Sequence, residues 1–206
     1  MKVKICGLRT EEAVLAAEDA GADFLGFIFY EKSHRHVLPE EVRGLTKHVQ
    51  RAKTVGVFVD APLDEVNAAA DFCSLDFVQL HGHESAAYAR AVCRPVIKAF
   101  RWGDDFSAEE ANDYPAEIIL LDSFSKDAVG GTGQRFRWRE AAEETVRLEK
   151  PLLVAGGIAS GNVREAEEVF RPYGVDVSGS LEIEKRKSVE RIREFMAVVQ
   201  KRRIPE

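Results

Sequence analysis

The chain has few cysteines, no excess of basic charge and no long apolar run. Three cysteines in 206 residues, Cys6, Cys73 and Cys93, form no CxxC pair. Their odd number fits poorly with the paired framework of a small secreted domain, so a reducing cytoplasm is the expected compartment. The formal charge of -6 argues against nucleic acid as a partner, because that would need a concentrated basic face. Small anionic ligands are still compatible with it, since local donors override net charge. No apolar stretch approaches membrane-spanning length, and Met1 to Cys6 runs straight into a strand pattern without a signal-like core. A soluble, unprocessed protein without membrane contact is therefore expected. No Pro/Gly/Ser-rich linker divides residues 1–206, which predicts one domain.

What is present is alternation. Apolar, β-branched-rich runs recur at Val3–Cys6, Phe24–Phe29, Thr54–Val59, Phe77–Leu80, Val96–Phe100, Ile118–Leu121, Leu152–Ala155 and Val175–Val177. Between and after them lie helix patterns over Glu11–Ala20, Pro39–Val49, Leu63–Ala70, Glu84–Val92, Ala108–Asn112, Trp138–Leu148, Asn162–Phe170 and Val189–Gln200. Thr10, Pro39 and Ser188 stand where helices start, and Gly21 where one stops. Eight strand-helix units predict an α/β fold, a single-domain (β/α)8 barrel below the usual size of about 250 residues. An open doubly wound sheet is the structural alternative.

Within a barrel strand, alternate residues face the lumen. The polar residues Lys4 and Cys6, Gln79 and His81, Lys98, Asp122, and Asp176 and Ser178 each oppose apolar neighbours, which predicts that all of them line the lumen. Isolated buried charges cost several kcal/mol each, so a polar ring there implies a site.

Cys6 and Asp122 end two widely separated strands, and strand ends converge on one barrel face. A thiol facing a carboxyl suits acid/base chemistry. Taken singly, Cys6 also reads as a small buried hydrophobe and Asp122 as a helix cap or ion-pair partner. Lys4, on the same face as Cys6, is expected to lower the thiol pKa. Ala155-Gly156-Gly157 and Ser178-Gly179-Ser180 follow the last two strands, where barrels often bind phosphate through backbone N–H groups, although paired glycines also serve plain tight turns. Arg35 has the planar fork that clamps a carboxylate, and His81 can orient a ligand; the bland alternatives are a surface arginine and a hydrogen-bonded structural histidine.

Other features predict less. Cys73 and Cys93 look like helix-end packing residues. His81-Gly82-His83 lacks the ligand spacing of a metal site, so no metal is expected. Gly130-Gly131-Thr132-Gly133 lacks the Lys-Ser/Thr ending of a nucleotide loop. The stretch Ser123–Phe136 reads instead as a mobile loop that closes beside Asp122, or as a flexible crossover. The runs Glu184-Lys185-Arg186-Lys187 and Lys201-Arg202-Arg203 read as solvated surface, the former near enough to the last strand to assist a phosphate.

In order, Lys4-Ile5-Cys6-Gly7-Leu8, Gly21-Ala22-Asp23-Phe24-Leu25-Gly26-Phe27-Ile28-Phe29, Val55-Gly56-Val57-Phe58-Val59, Val78-Gln79-Leu80-His81-Gly82, Leu120-Leu121-Asp122, Gly130-Gly131-Thr132-Gly133 and Leu153-Val154-Ala155-Gly156-Gly157 resemble the phosphoribosylanthranilate isomerase family over almost the whole chain. The resemblance implies a small TIM barrel in tryptophan biosynthesis with no metal or organic cofactor, either monomer or homodimer, acting on a small phosphosugar. It implies an Amadori rearrangement with Asp122 as general acid and Cys6 as general base. By the same resemblance Arg35 would hold the anthranilate carboxylate. The turns at Gly156-Gly157 and Ser178-Gly179-Ser180 would hold the phosphate; His81 and Asp176 are expected beside the substrate from their place on the lumen face. Two departures stand out. Ser33-His34-Arg35 replaces the family's Ser-Pro-Arg, removing a proline that would stiffen the arginine loop. Ser178-Gly179-Ser180-Leu181-Glu182 replaces a Ser-Ser-Gly-Val-Glu-like ending, moving the turn glycine by one position.

Two readings compete with it. One is another phosphosugar isomerase or epimerase on the same scaffold, and the other a noncatalytic phosphosugar-binding protein.

Overall fold

The computed structural model describes residues 1–103, 106–122 and 133–201, with the side chains of 133–137 left aside. Among the described residues eight parallel strands close into a barrel: β1 (Lys2–Cys6), β2 (Phe24–Ile28), β3 (Lys53–Phe58), β4 (Phe77–Leu80), β5 (Val96–Arg101), β6 (Ile118–Asp122), β7 (Leu152–Ala155) and β8 (Gly174–Val177). β8 pairs back onto β1, with Lys4 opposite Asp176. The (β/α)8 barrel expected from the alternation is the observed fold, and the open sheet is excluded by that closure.

Each strand is followed by a helix: α1 (Glu11–Asp19), α2 (Pro39–Leu45), α3 (Leu63–Phe72), α4 (Ala86–Arg90), α5 (Ala108–Asp113), α6 (Gly133–Thr145), α7 (Val163–Phe170) and α8 (Val189–Gln200). The starts obey local chemistry. The side chains of Thr10, Ser85, Ser107 and Ser188 each accept a hydrogen bond from the third residue on, satisfying one otherwise unpaired N–H. Gly21, at φ 81°, follows α1 in a conformation that costs glycine little.

Two helices are shorter than their sequence patterns. α2 gives way after Leu45 to a 3-10 turn at Thr46–His48, where Gly44 and the β-branched Thr46 weaken the helix. α4 starts only at Ala86, because Glu84 turns away to bind Lys98 and the backbone N–H groups of Asp60 and Gly82.

Two apolar layers result. The larger lies between the barrel wall and the helices. The smaller fills the lower lumen with Phe24, Val55, Ile97, Ile118, Leu120 and Leu153. Ile97, Leu120 and Leu153 are fully buried, each worth about 1.5–3 kcal/mol in apolar transfer. Phe24 and Phe77 meet edge to face at 5.8 Å. Polar residues begin above this plug.

One strand departs from the predicted parity. Ile97 and Ala99, not Lys98, face the lumen. Lys98 lies behind the wall, where its Nζ donates to Glu84 at 2.8 Å and to the Gly82 carbonyl at 2.7 Å and sits over the Tyr114 ring. Val96-Ile97-Lys98-Ala99-Phe100 is apolar on both parities, and the lysine went to the side that holds a carboxylate.

Candidate active site

A cavity of about 530 Å³ opens at the carboxyl ends of the strands, within the range for small-ligand sites. Cys6 and Asp122 both line it, at the ends of β1 and β6. Between them around the rim come β7, with Gly156 and Gly157, and β8, followed by Ser178, Gly179 and Ser180; these residues also line the cavity. Arg35, from the loop after β2, His81 and Asp176 complete the predicted set on the same surface.

Lys4 and Cys6, two apart on β1, share its lumen face, and a glycine on β2 makes room for them. A Cβ on Gly26 would stand 2.9 Å from the Cys6 Sγ and 3.1 Å from the Lys4 Nζ. Lys4 is fully buried, and its Nζ donates to Asp176 Oδ1 at 3.0 Å. Burial disfavours the Lys4 ammonium, yet Asp176 and Cys6 together outweigh it and raise its pKa.

The Cys6 thiol is under opposing influences. Burial pushes its pKa up, Lys4 pulls it down and Asp176 pushes it up again, for a net rise. The Lys4 effect has the expected sign, but removal from water is the larger one.

Opposite, His81 Nδ1 lies 2.8 Å from Gln79 Nε2, and His81 Nε2 lies 3.8 Å from Asp122 Oδ2. The second distance is too long for a hydrogen bond, so the imidazole stands beside the carboxyl without bonding it directly. If the amide is oriented with Nε2 donating, His81 Nδ1 is the acceptor and Nε2 carries the proton.

Gly156 and Gly157 have φ values of 85° and 74°, which favour glycine and turn the chain sharply after β7. Ser180 Oγ donates to the Ile158 carbonyl at 2.6 Å, tying the two turns together. Ser178 Oγ donates to the Cys6 carbonyl at 2.9 Å. Both hydroxyls are thus spent on the scaffold, which leaves backbone N–H groups as the donors these turns can offer an anion.

Arg35 is already held. Its Nε and Nη2 donate to Glu182 Oε1 and Oε2 at 2.5 and 2.9 Å, and Lys187 Nζ donates to Glu182 Oε1 at 2.6 Å. Glu182 and Lys187 are the residues sequence reasoning missed. Lys187 is nearly buried, with 3% side-chain exposure, contrary to the expected solvated run. The loop without its proline is braced otherwise: Arg9 Nη1 donates to the His34 carbonyl at 2.7 Å, and the Arg35 N–H donates to Ser33 Oγ at 3.1 Å.

The remaining features lie apart. Cys73 caps α3 and is buried, its pKa raised by that burial to about 11. Cys93 is exposed, not packed as its position suggested, because α4 ends at Arg90. The expected loop at Ser123–Phe136 and the glycines at 130–133 lie largely outside the described residues. Among the described residues no helix is long and apolar enough to cross a membrane.

Residues 3–198 match the family described as PRAI, N-(5'phosphoribosyl)anthranilate (PRA) isomerase. The chain belongs to this family. It is 46% identical over 205 residues to N-(5'-phosphoribosyl)anthranilate isomerase of Geobacter sp. (strain M21), covering 97% of this chain and 98% of that protein. A solved monomeric form of the dimeric Thermotoga maritima enzyme superposes with a TM-score of 0.84 at 32% identity, over 98% of this chain and 99% of that one. A phosphoribosyl anthranilate isomerase in complex with reduced 1-(o-carboxyphenylamino)-1-deoxyribulose 5-phosphate superposes with a TM-score of 0.85 at 32% identity, over the same shares. As a member of the family the chain is an isomerase of tryptophan biosynthesis with a (β/α)8 barrel.

Proposed function

We propose that Asp122 and Cys6 divide the proton transfers of the isomerisation of N-(5'-phosphoribosyl)anthranilate to 1-(2-carboxyphenylamino)-1-deoxyribulose 5-phosphate. Asp122, protonated, gives its proton to the furanose ring oxygen as the C1–O bond breaks and the nitrogen lone pair forms a Schiff base. Cys6, as thiolate, then takes the C2 proton, and the C2–H electrons form the C1–C2 double bond of an enolamine. Protonation at C1 and loss of the C2 hydroxyl proton give the ketone. Acid and base act on different atoms of one sugar, so they must stand apart and face it together.

The observation that carries this reading is the order around the rim: carboxyl, two glycine-rich turns, thiol, arginine, all lining one cavity. Phosphate binds the N–H groups of the turns between acid and base, and Arg35 takes the aromatic carboxylate at the β2 side. Asp176 serves through Lys4, whose charge favours the thiolate against the burial that opposes it. His81 places the Asp122 carboxyl. The partner is therefore a small phosphosugar, and sedimentation velocity distinguishes the two expected states of the chain, monomer and homodimer.

Turnover of purified Cys6→Ala and Asp122→Asn tests the roles. Each is expected to lose about 10²–10⁴-fold in kcat with the fold intact. Near-normal turnover in either variant overturns that assignment.

A further inference from the structure

The Arg35 guanidinium must point one way to receive a carboxylate, yet it ends a long side chain on a loop. Three features fix it. Its stem crosses Gly7, where a Cβ would stand 2.4 Å from the Arg35 Cδ, and its Nη2 lies 3.5 Å from where a Gly179 Cβ would be. The third is the two-point grip of Glu182, the geometry that best orients a planar guanidinium.

Glu182 is presented by a small hairpin built for the purpose. After β8 and a 3-10 turn at Gly179–Leu181 come two short antiparallel strands, β9 (Glu182–Ile183) and β10 (Arg186–Lys187), with Lys187 directly opposite Glu182. The two-residue connection, Glu184 and Lys185, has φ values of 49° and 62°. Both are left-handed, which suits glycine or asparagine in such a turn and costs other residues about 1 kcal/mol or more each. That strain is retained in a turn whose cross-strand pair holds Arg35, itself a residue of the cavity wall.

A carboxylate gripping Arg35 would by itself cancel the positive charge that the substrate's carboxylate needs. Lys187 prevents this: one carboxylate shared by two cations leaves a surplus positive charge at the cavity. Of the five N–H donors on the Arg35 guanidinium, Glu182 engages two, so donors remain for a ligand. His34 Nε2 adds a further contact to Glu182 at 3.3 Å. Lys187 also reaches Ser178 Oγ at 3.4 Å, and Ser178 holds the Cys6 carbonyl, so one network joins the arginine to the strand end that carries the thiol.

We propose that Glu182 is a positioning residue that fixes the Arg35 guanidinium for the substrate's carboxylate, with Lys187 preserving the site's positive charge. The proposal rests on the reading that Arg35 binds that carboxylate. The opposite role, a placeholder that the substrate must displace, predicts tighter binding once the carboxylate is removed.

A double-variant cycle on KM and kcat decides between them. Glu182→Gln is expected to raise KM about tenfold with kcat within about twofold, the signature of lost binding common to ground and transition states. In an Arg35→Met background the same substitution should change KM by less than about twofold, because the positioned group is gone. If Arg35→Met alone leaves KM unchanged, the carboxylate reading fails. If Arg35→Met raises KM and Glu182→Gln does not, or lowers it, the positioning role fails. Equal effects of Glu182→Gln with and without Arg35 also overturn it, as a purely structural role would give. Should Glu182→Gln not fold, Lys187→Met takes its place, with the same rise in KM and the same dependence on Arg35 expected.

Discussion

Two buried lysines, Lys4 and Lys98, each hold a carboxylate, but on opposite faces of the barrel wall. Lys4 points into the lumen, binds Asp176 at 3.0 Å and lies beneath Cys6. Lys98 points outward, binds Glu84 at 2.8 Å and ties down the turn after β4 through the Gly82 carbonyl. The first pair stands beside the Cys6 thiol and acts on its charge balance, Lys4 lowering its pKa and Asp176 raising it. The second completes a fully hydrogen-bonded knot, since Glu84 also accepts from Asp60 and Gly82. A buried ion pair by itself therefore says little about function, and its side of the wall says much.

The largest expected effect would break this contrast if absent. Lys98→Met leaves Glu84 buried without its cation, which typically costs about 3–5 kcal/mol; denaturant unfolding should show that loss, while kcat of the folded fraction stays within about twofold. A large kcat loss with unchanged stability would place Lys98 functionally alongside Lys4.

The rim network gives the next effect. Burial alone would raise the Glu182 carboxyl, but Arg35 and Lys187 outweigh it and hold its pKa at about 2, below the ordinary 4.5. A carboxyl depressed in the folded state binds protons more tightly when unfolded, so its stabilisation is present above pH 4.5 and is lost as pH falls toward 2. That contribution is roughly 3 kcal/mol. Unfolding free energies of the parent and Glu182→Gln, measured across this window, should converge at its acid end.

Lys4→Met sharpens the lumen side. Removing the ammonium withdraws the charge that favours the thiolate, so the Cys6 pKa rises further and the ascending limb of kcat/KM moves to higher pH. At neutral pH the loss is expected to be about tenfold, on the order of 1.4 kcal/mol. An unmoved limb would detach Lys4 from the thiol.

The smallest effect concerns the strained hairpin. Replacing Glu184→Asn and Lys185→Gly together relieves two left-handed side-chain residues and should stabilise the protein by about 1 kcal/mol. Thermal unfolding checks the sign.

Much of this was legible in the sequence, because strands buried on both faces leave apolar runs and barrel ends gather residues that are distant in the chain. The run Ile118-Ile119-Leu120-Leu121-Asp122 announces both a strand and its polar end. Lys98 was misread because apolar residues flank it on both parities, and only the position of Glu84 decides its side. Lys187 ends a charge run and Glu182 stands just before it, and their pairing needs a two-residue turn that lacks the usual glycine or asparagine. Arg35 and Glu182 are 147 positions apart, so their contact follows from barrel closure and leaves no local pattern. For Cys6 the sequence shows one side of the balance, Lys4 two positions away, whereas the depth of burial that raises its pKa is not visible there.

A crystal structure of this protein with reduced 1-(o-carboxyphenylamino)-1-deoxyribulose 5-phosphate decides whether thiol and carboxyl face one ribose between them. Expected in it are the Cys6 sulfur within about 4 Å of C2, Asp122 at the oxygen released by ring opening, phosphate on the turns at Gly156-Gly157 and Gly179-Ser180, and the carboxylate on Arg35. A ligand seated with its phosphate away from those turns, or with C2 out of reach of the sulfur, would contradict that arrangement.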